Sequence, residues 1–195
     1  MSASISERDL RRALGDQEPA DDGLAGWLAA QAERDGLLDV AYATVDSPVG
    51  QMTIAATPLG LVKLGLPNEA TDSVLARLAE AVSPRILESP KRLDLARREL
   101  DEYFDGRRQD FDLPLDWQLS PKGFYRKVLR KLPQVGFGET ATYGEMAARA
   151  GNPRASRAAG TACGVNPIPV IVPCHRVVRA GGAIGNYGGG PDMKR

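Results

Sequence analysis

Two thiols and one imidazole are the soft-nucleophile and base inventory of this 195-residue chain, and two of the three are adjacent. Cys174 and the only histidine, His175, lie within Pro173-Cys174-His175-Arg176-Val177-Val178. A thiol attacks only as the thiolate, and an unperturbed cysteine with a pKa near ~8.5 is only a few per cent ionised at neutral pH. An imidazole that takes the proton, directly or through water, raises that fraction. The competing reading is a buried cysteine beside a hydrogen-bonded core histidine. The second cysteine, Cys163, reads as a small helix-face residue.

The elements that must position this pair come next. After Asn166-Pro167, the apolar run Ile168–Val172 predicts a strand leading into Cys174, and Val177–Val178 continues as β. Gly181-Gly182 turns the chain, and the glycine-rich loop 185–190 lets backbone approach a ligand closely. Its spacing is neither a dinucleotide nor a P-loop fingerprint. Upstream, Ser120-Pro121 predicts an N-cap and first-turn proline opening a helix to about Leu132. Thr142-Tyr143-Gly144-Glu145 has capping-box form, starting a helix that stops at Gly151. Asn152-Pro153 opens another, ending near Cys163 and Gly164. Two short helices about a Gly-Asn break suggest helix-turn-helix. In the second, Arg154, Arg157 and Thr161 share a face at i, i+3, i+7 among small residues, which suits phosphate or base contacts. An alanine-rich helix packed on a neighbour, its arginines in solvent, fits that segment equally.

Residues 1–38 form an extension of unassigned role. Ser6–Leu14 and Leu24–Gly36 have helical composition, with the turn-rich Gly15–Gly23 between them. Residues 39–66 predict three short strands in an antiparallel meander, joined by Pro/Gly turns. Ala70–Ala81 and Lys91–Phe104 have helical apolar spacing. With no His or Cys, this acidic unit reads as scaffold. The expected fold is α+β. Its small N-terminal domain (39–115) has an antiparallel sheet and helices; its mainly helical C-terminal domain (116–195) carries a winged-helix-like helix-turn-helix and the active-site cysteine.

Composition narrows the partner. Hydrophobic residues at 43% and charged residues at 26% are ordinary for a soluble globular protein. The longest apolar run, Pro167 to Val172, is far short of a membrane span, and the charged Ser6–Arg12 stretch is no signal peptide. With two cysteines and no disulfide framework, a cytoplasmic protein is expected. The zero net charge hides a split. Residues 118–195 carry twelve Lys/Arg against three Asp/Glu, a balance of +9, and residues 1–117 balance at −9. Such asymmetry points to a polyanionic partner for the C-terminal half, or to acid–base pairing between the halves.

With these residues in view, the C-terminal half resembles the O6-alkylguanine-DNA alkyltransferases, the suicidal methylated-DNA–protein-cysteine methyltransferases. The similarity runs from about Phe124 to Gly190. It includes Phe137-Gly138-Glu139, the Tyr143 helix, Gly151-Asn152-Pro153, Ala155-Ser156-Arg157-Ala158, Asn166-Pro167, the PCHRVV core and Asn186-Tyr187-Gly188-Gly189. The resemblance implies a DNA repair protein that flips O6-alkylguanine, and O4-alkylthymine in some cases, out of duplex DNA through the minor groove. Cys174 would accept the alkyl group irreversibly, with His175 its base through a bridging water. Asn166 would orient the relay. Tyr143 would turn the target phosphate and hydrogen-bond the departing guanine. Arg157 would fill the gap left by the flipped nucleotide, with Arg154 and Thr161 also on the DNA face. Val177, Tyr187, Gly188 and Gly189 would line the base pocket, and Arg176 would tie the active-site strand to its neighbours. No cofactor or metal is implied, and a monomer is expected. Two cysteines and one histidine, two of them adjacent, make no plausible zinc centre.

The chain departs from the family pattern in one respect. The family's glutamate that bonds the catalytic histidine lies on a helix after the glycine-rich loop, and this sequence ends at Lys194-Arg195. Asp192 is the only carboxylate after Cys174 and is not expected to replace it. Without an orienting acid, slower transfer is expected than in a version carrying such a helix. Two other functions compete. One is a non-catalytic alkyl-damage sensor, whose kind generally lacks the acceptor cysteine. The other is a Cys–His hydrolase, for which no third group is evident.

Overall fold

The computed structural model describes residues 21–195. The helix expected at Ser6–Leu14 lies outside them. Helix α1 (Asp21–Arg34) begins inside the stretch expected to be a turn. It buries Ala29 and turns Trp27 outward, and Arg92 reaches Glu33 at 3.3 Å.

Strands β1 (Val40–Val45), β2 (Met52–Thr57) and β3 (Gly60–Gly65) form the expected antiparallel meander. A short strand β4 (Ile86–Glu88), not foreseen from sequence, adds parallel to β1, giving the order β3-β2-β1-β4. It escapes sequence reading because three half-exposed residues carry no alternation. The sheet is covered on both faces, which explains why β2 is buried along its whole length. On one face Val40, Ala55 and Val62 meet Val74 and Leu78 of α2 (Thr71–Ala81). On the other, Ala43, Met52, Ile54 and Leu64 enter a core shared with Val128, Leu129, Met146 and Val172. Residues 90–93 make a 3-10 turn into α3 (Asp94–Phe104).

The stretch joining the two halves is stitched to the sheet. The Leu61 amide donates to Pro114 O, and Asp116 N donates to Leu61 O, both at 2.8 Å. The buried Asp116 carboxylate accepts from Thr57 Oγ1 at 2.7 Å and from the Gln118 amide at 2.9 Å. Gly60 has φ +135°, and a Cβ there would overlap the Pro114 carbonyl, so only glycine fits. Further along, Leu64 N donates to Pro167 O at 2.9 Å, tying β3 to the segment before Cys174.

Helix α4 (Phe124–Lys131) starts later than expected. Ser120 does not cap it, because its hydroxyl donates to Trp117 O at 2.8 Å and accepts from Arg126 Nε at 2.9 Å. Gly123, at φ +71°, sets the entry instead. A 3-10 turn (Leu132–Gln134) follows, and β5 (Ala141–Thr142) pairs in parallel with β6 (Val177–Val178). Helix α5 (Tyr143–Arg149) has the expected capping box: Thr142 Oγ1 accepts from Glu145 N at 3.2 Å, and Glu145 Oε2 accepts from Thr142 N. Helix α6 (Ser156–Gly164) completes the helix-turn-helix but begins at Ser156, not at Asn152-Pro153. Asn152 Oδ1 accepts from Arg154 N at 3.3 Å, closing a turn that leaves Arg154 outside the helix and breaks the expected i, i+3, i+7 face.

The largest correction concerns Ile168–Val172, which is not a strand. Pro167 and Pro169 have no N–H to give a ladder. The buried run folds on itself, with Val172 N donating to Ile168 O at 2.9 Å and Val170 at φ +72°. Cys174–Arg176 is likewise a 3-10 turn rather than extended chain. A last short helix, α7 (Pro191–Lys194), closes over the site.

Candidate active site

Cys174 is buried, its residue only 4% exposed. Asn166 organises it. Its Nδ2 donates to Val172 O at 2.8 Å and to Cys174 Sγ at 3.2 Å, and its Oδ1 accepts from Ile168 N at 3.1 Å. One amide thus clamps both ends of the folded apolar segment and presents a donor to the sulfur. Burial pushes the Cys174 thiol up, opposed by the Asn166 donor and the positive charge of Lys194. The resting thiol is protonated.

His175 turns away from the sulfur. Among the described residues no hydrogen bond joins the two side chains, and the ring's partner is Tyr103 Oη, 3.4 Å from Nε2. Burial, then Arg176 and Lys194, bring the imidazole down to about 4. It is neutral at physiological pH and free to receive a proton. Arg176 Nη1 donates to Val135 O at 2.7 Å and Nη2 to Gln109 O at 3.4 Å, anchoring the turn to both halves. Asp192 faces solvent and pairs with Arg195 at 3.2 Å.

Two hollows flank the site. One, about 640 Å³, opens over α6 and is lined by Tyr143, Arg157, Thr161, Arg179, Tyr187 and Gly188. The other, about 510 Å³, reaches the Cys174 sulfur between the halves, with Asn166, Pro169 and Tyr187 on one wall and Leu66 and Glu69 on the opposite one. Tyr187 and Gly188 lie in both and separate them. Tyr143 packs so close to the glycine-rich loop that a Cβ at Gly185 would overlap its hydroxyl. Burial raises the Tyr143 and Tyr187 phenols, so both are hydrogen-bond donors at neutral pH.

The structure brings Cys174, His175, Asn166, Tyr143, Tyr187 and Gly188 together. Arg157 and Thr161 sit at the exposed edge, where Thr161 Oγ1 donates back to Arg157 O at 3.2 Å. Arg154 is exposed on the preceding turn. Val177 is wholly buried beside Ala141, and Gly189 packs on Met193; neither lines the two hollows. Cys163 lines the second hollow, its thiol pushed up to about 12 by burial, hence inert.

Sequence reasoning missed three residues. Lys194, 7% exposed, places Nζ 3.4 Å from Tyr143 Oη, where it donates, and 5.7 Å from the Tyr143 ring centre. Arg179 lines the outer hollow beside Arg157. Tyr103 reaches the site from the N-terminal unit. Only the positive charge of Lys194 and Arg179 could have marked them; Tyr103 sits 72 positions from His175 with no local signal.

Among the described residues, no ion pair joins an acid of residues 21–117 to a base of residues 118–195. Among the described residues, then, no ion pairing between the halves offsets the charge split. No cluster of three or more His, Cys, Asp or Glu among these residues could hold a metal, and no helix is long and apolar enough to cross a membrane.

Comparison with known proteins agrees with this arrangement. Residues 40–117 match the ribonuclease-like domain of 6-O-methylguanine DNA methyltransferase, and residues 123–195 match its DNA binding domain. A methylated-DNA–protein-cysteine methyltransferase of Mycolicibacterium paratuberculosis is 39% identical over 156 residues, 80% of this chain and 88% of the relative. The human protein of that name is 38% identical over 77% of this chain and 75% of its own. The Mycobacterium tuberculosis O6-methylguanine methyltransferase superposes with a TM-score of 0.69 at 37% identity, covering 80% of this chain and 88% of that one. A structure of M. tuberculosis OGT in complex with DNA superposes at 0.68, with the same identity and coverage. The chain belongs to the 6-O-methylguanine DNA methyltransferase family.

Proposed function

We propose that this protein repairs alkylated DNA by transferring the O6-alkyl group of guanine irreversibly to Cys174. The observation that carries the reading is a buried thiol, held by Asn166, on the wall of one hollow, with Arg157 and Arg179 lining the adjoining hollow over α6 across Tyr187 and Gly188. The names of the relatives point the same way.

In this reading DNA lies on α6, entered from the minor groove, where a damage reader needs little sequence discrimination. An alkyl carbon inside the base stack cannot be approached in line by a thiolate, so the nucleotide is flipped out, at a cost of about a few kcal/mol. Arg157, and Arg154 beside it, hold the backbone and fill the gap. Thr161 lies on the same rim. The base sits against Tyr187 and the loop at Gly188. The Cys174 proton passes through water to neutral His175 as the S–C bond forms and the C–O6 bond breaks. Tyr143, kept protonated, donates a hydrogen bond to the departing guanine. The electrophile arrives on the substrate, so the chemistry calls for no cofactor, and the thioether product ends the cycle after one turnover. The 510 Å³ hollow behind the sulfur gives room for substituents larger than methyl.

The two competing functions fare worse. A sensor without an acceptor has no use for the Asn166-held thiol. For a hydrolase, the hydrogen-bond partner of His175 among the described residues is a tyrosine, not a carboxylate.

Incubation with a duplex containing O6-methylguanine, read by intact mass, is the test. One protein should gain the mass of one methylene per lesion, and Cys174→Ser should gain none. O6-benzylguanine should likewise yield one covalent benzyl adduct. Lesion binding with no adduct on the reduced, folded protein would refute the assignment in favour of a sensor.

A further inference from the structure

The hydrogen-bond partner of His175 comes from the other half of the chain. Tyr103 lies near the end of α3 and is held by three aromatic neighbours. Phe104 is at 5.5 Å edge-on, Phe111 at 5.0 Å, and Phe137, from the C-terminal half, at 6.1 Å edge-on. Packed on three sides, the ring has little rotational freedom, and its hydroxyl is delivered 3.4 Å from His175 Nε2. The two side chains share a hollow of about 160 Å³ with Tyr187 and Lys194.

An imidazole can serve as base only through the nitrogen that carries no proton, and the bond made by the other nitrogen decides which one that is. With Nε2 committed to Tyr103, the nitrogen left for the Cys174 proton is Nδ1. The titratable and charged groups around the ring are Tyr103 on α3, Cys174 and Arg176 on its own turn, Tyr187 of the glycine-rich loop, Lys194 on α7 and the cationic Arg195 after it. Arg176 and Lys194 carry positive charge and supply no acceptor. The Cys174 thiol is the group to be deprotonated. Of the two hydroxyls, Tyr103 and Tyr187, only that of Tyr103 is within hydrogen-bond distance of the ring among the described residues, so its oxygen is the acceptor placed for an Nε2–H.

We propose that Tyr103 is a positioning residue for alkyl transfer: its hydroxyl oxygen accepts the Nε2–H of His175 and so keeps Nδ1 unprotonated toward the thiol. When the thiol proton arrives at Nδ1, the Nε2–H···O bond is retained and helps hold the imidazolium that results. The N-terminal unit thereby takes part in the chemistry through a single hydroxyl. This rests on the alkyl-transfer reading above.

The chain has one histidine, so the ring can be observed without assignment in protein labelled with 15N-histidine. Long-range proton–nitrogen correlation on the wild type should show a protonated Nε2 and a bare Nδ1; the opposite tautomer would overturn the proposal, whatever any variant does. Tyr103→Phe keeps the ring among its aromatic neighbours and removes only the oxygen. It should mix the tautomers and slow single-turnover transfer about three- to ten-fold, the effect of one ordinary hydrogen bond. Its rate–pH profile should shift, while melting temperature and duplex affinity stay put. An unchanged rate and profile, or a loss that merely follows duplex affinity, would overturn it as well. If the wild type itself takes no alkyl group, the alkyl-transfer reading has failed, and the tautomer measurement still judges the Tyr103–His175 contact separately.

Discussion

Replacing Asn166 with alanine should separate its two duties, holding the backbone and supporting the sulfur. The side chain makes three bonds: to Val172 O at 2.8 Å, from Ile168 N at 3.1 Å, and to Cys174 Sγ at 3.2 Å. Losing the first two leaves the Ile168 amide unpaired in the buried segment, at about 1–3 kcal/mol, and leaves Val172 O with only its bond from Cys174 N. Losing the third removes a donor that becomes charge-assisted once the sulfur ionises, worth about 1.5–3 kcal/mol. That figure corresponds to a thiol titrating about 1–2 pH units higher and, at fixed pH below the titration, to transfer about 10- to 150-fold slower. Single-turnover transfer from an O6-methylguanine duplex, measured from pH 6 to 10 with affinity measured in parallel, reads both effects. The rising limb should move toward alkali in Asn166→Ala. Asn166→Asp, which sets a carboxylate against the sulfur in place of the donor, should be slower still. A slow Asn166→Ala protein whose pH dependence matched the wild type would refute the link between this amide and the thiolate.

Two further outcomes follow from burial and charge. His175 titrates at about 4 when folded and near 6.5 when unfolded, so the unfolded chain binds that proton more readily. Its contribution to stability is complete above pH 6.5 and is lost as pH falls toward 4. The loss, about 3 kcal/mol, should be visible as a steeper acid decline of the unfolding free energy in the wild type than in His175→Gln. Arg157→Ala should weaken duplex binding across sequences and lower the slope of log affinity against log salt by about one. A slope equal to the wild type's would place Arg157 off the DNA.

The meander, the helices on either side of it and the capping box at Thr142 are legible because each rests on a local signal. Strand-length apolar runs between Pro/Gly turns, 3.6-residue spacing and Thr-x-x-Glu are all visible within a dozen residues. The errors fall where tertiary contacts override such signals. Ser120 has the right side chain for a cap but spends it on Trp117 and Arg126. Ile168–Val172 has strand composition, yet two prolines and the Asn166 clamp fold it into a turn. In the site, Cys174, His175, Asn166, Tyr143 and Tyr187 are picked out by chemistry or motif, and the fold does gather them. Tyr103 and Lys194 could not be found that way. One reaches the site from an apolar-patterned helix in the other half, and the other is a surface-type residue drawn inward against a tyrosine.

The stitch between β3 and the later chain bears on how such a protein can be altered. Because Gly60 lies against Pro114, and Leu64 holds Pro167 just ahead of the catalytic turn, neither half ends where its neighbour begins. Exchanging halves between relatives would trade away matched surfaces along that seam, and a chimera would need its contact residues redesigned together. Splitting the chain near Trp117 for reassembly faces the same obstacle. Fusions and tags belong away from it, at exposed turns such as Gly181-Gly182, where an added Cβ would meet no atom within 4 Å.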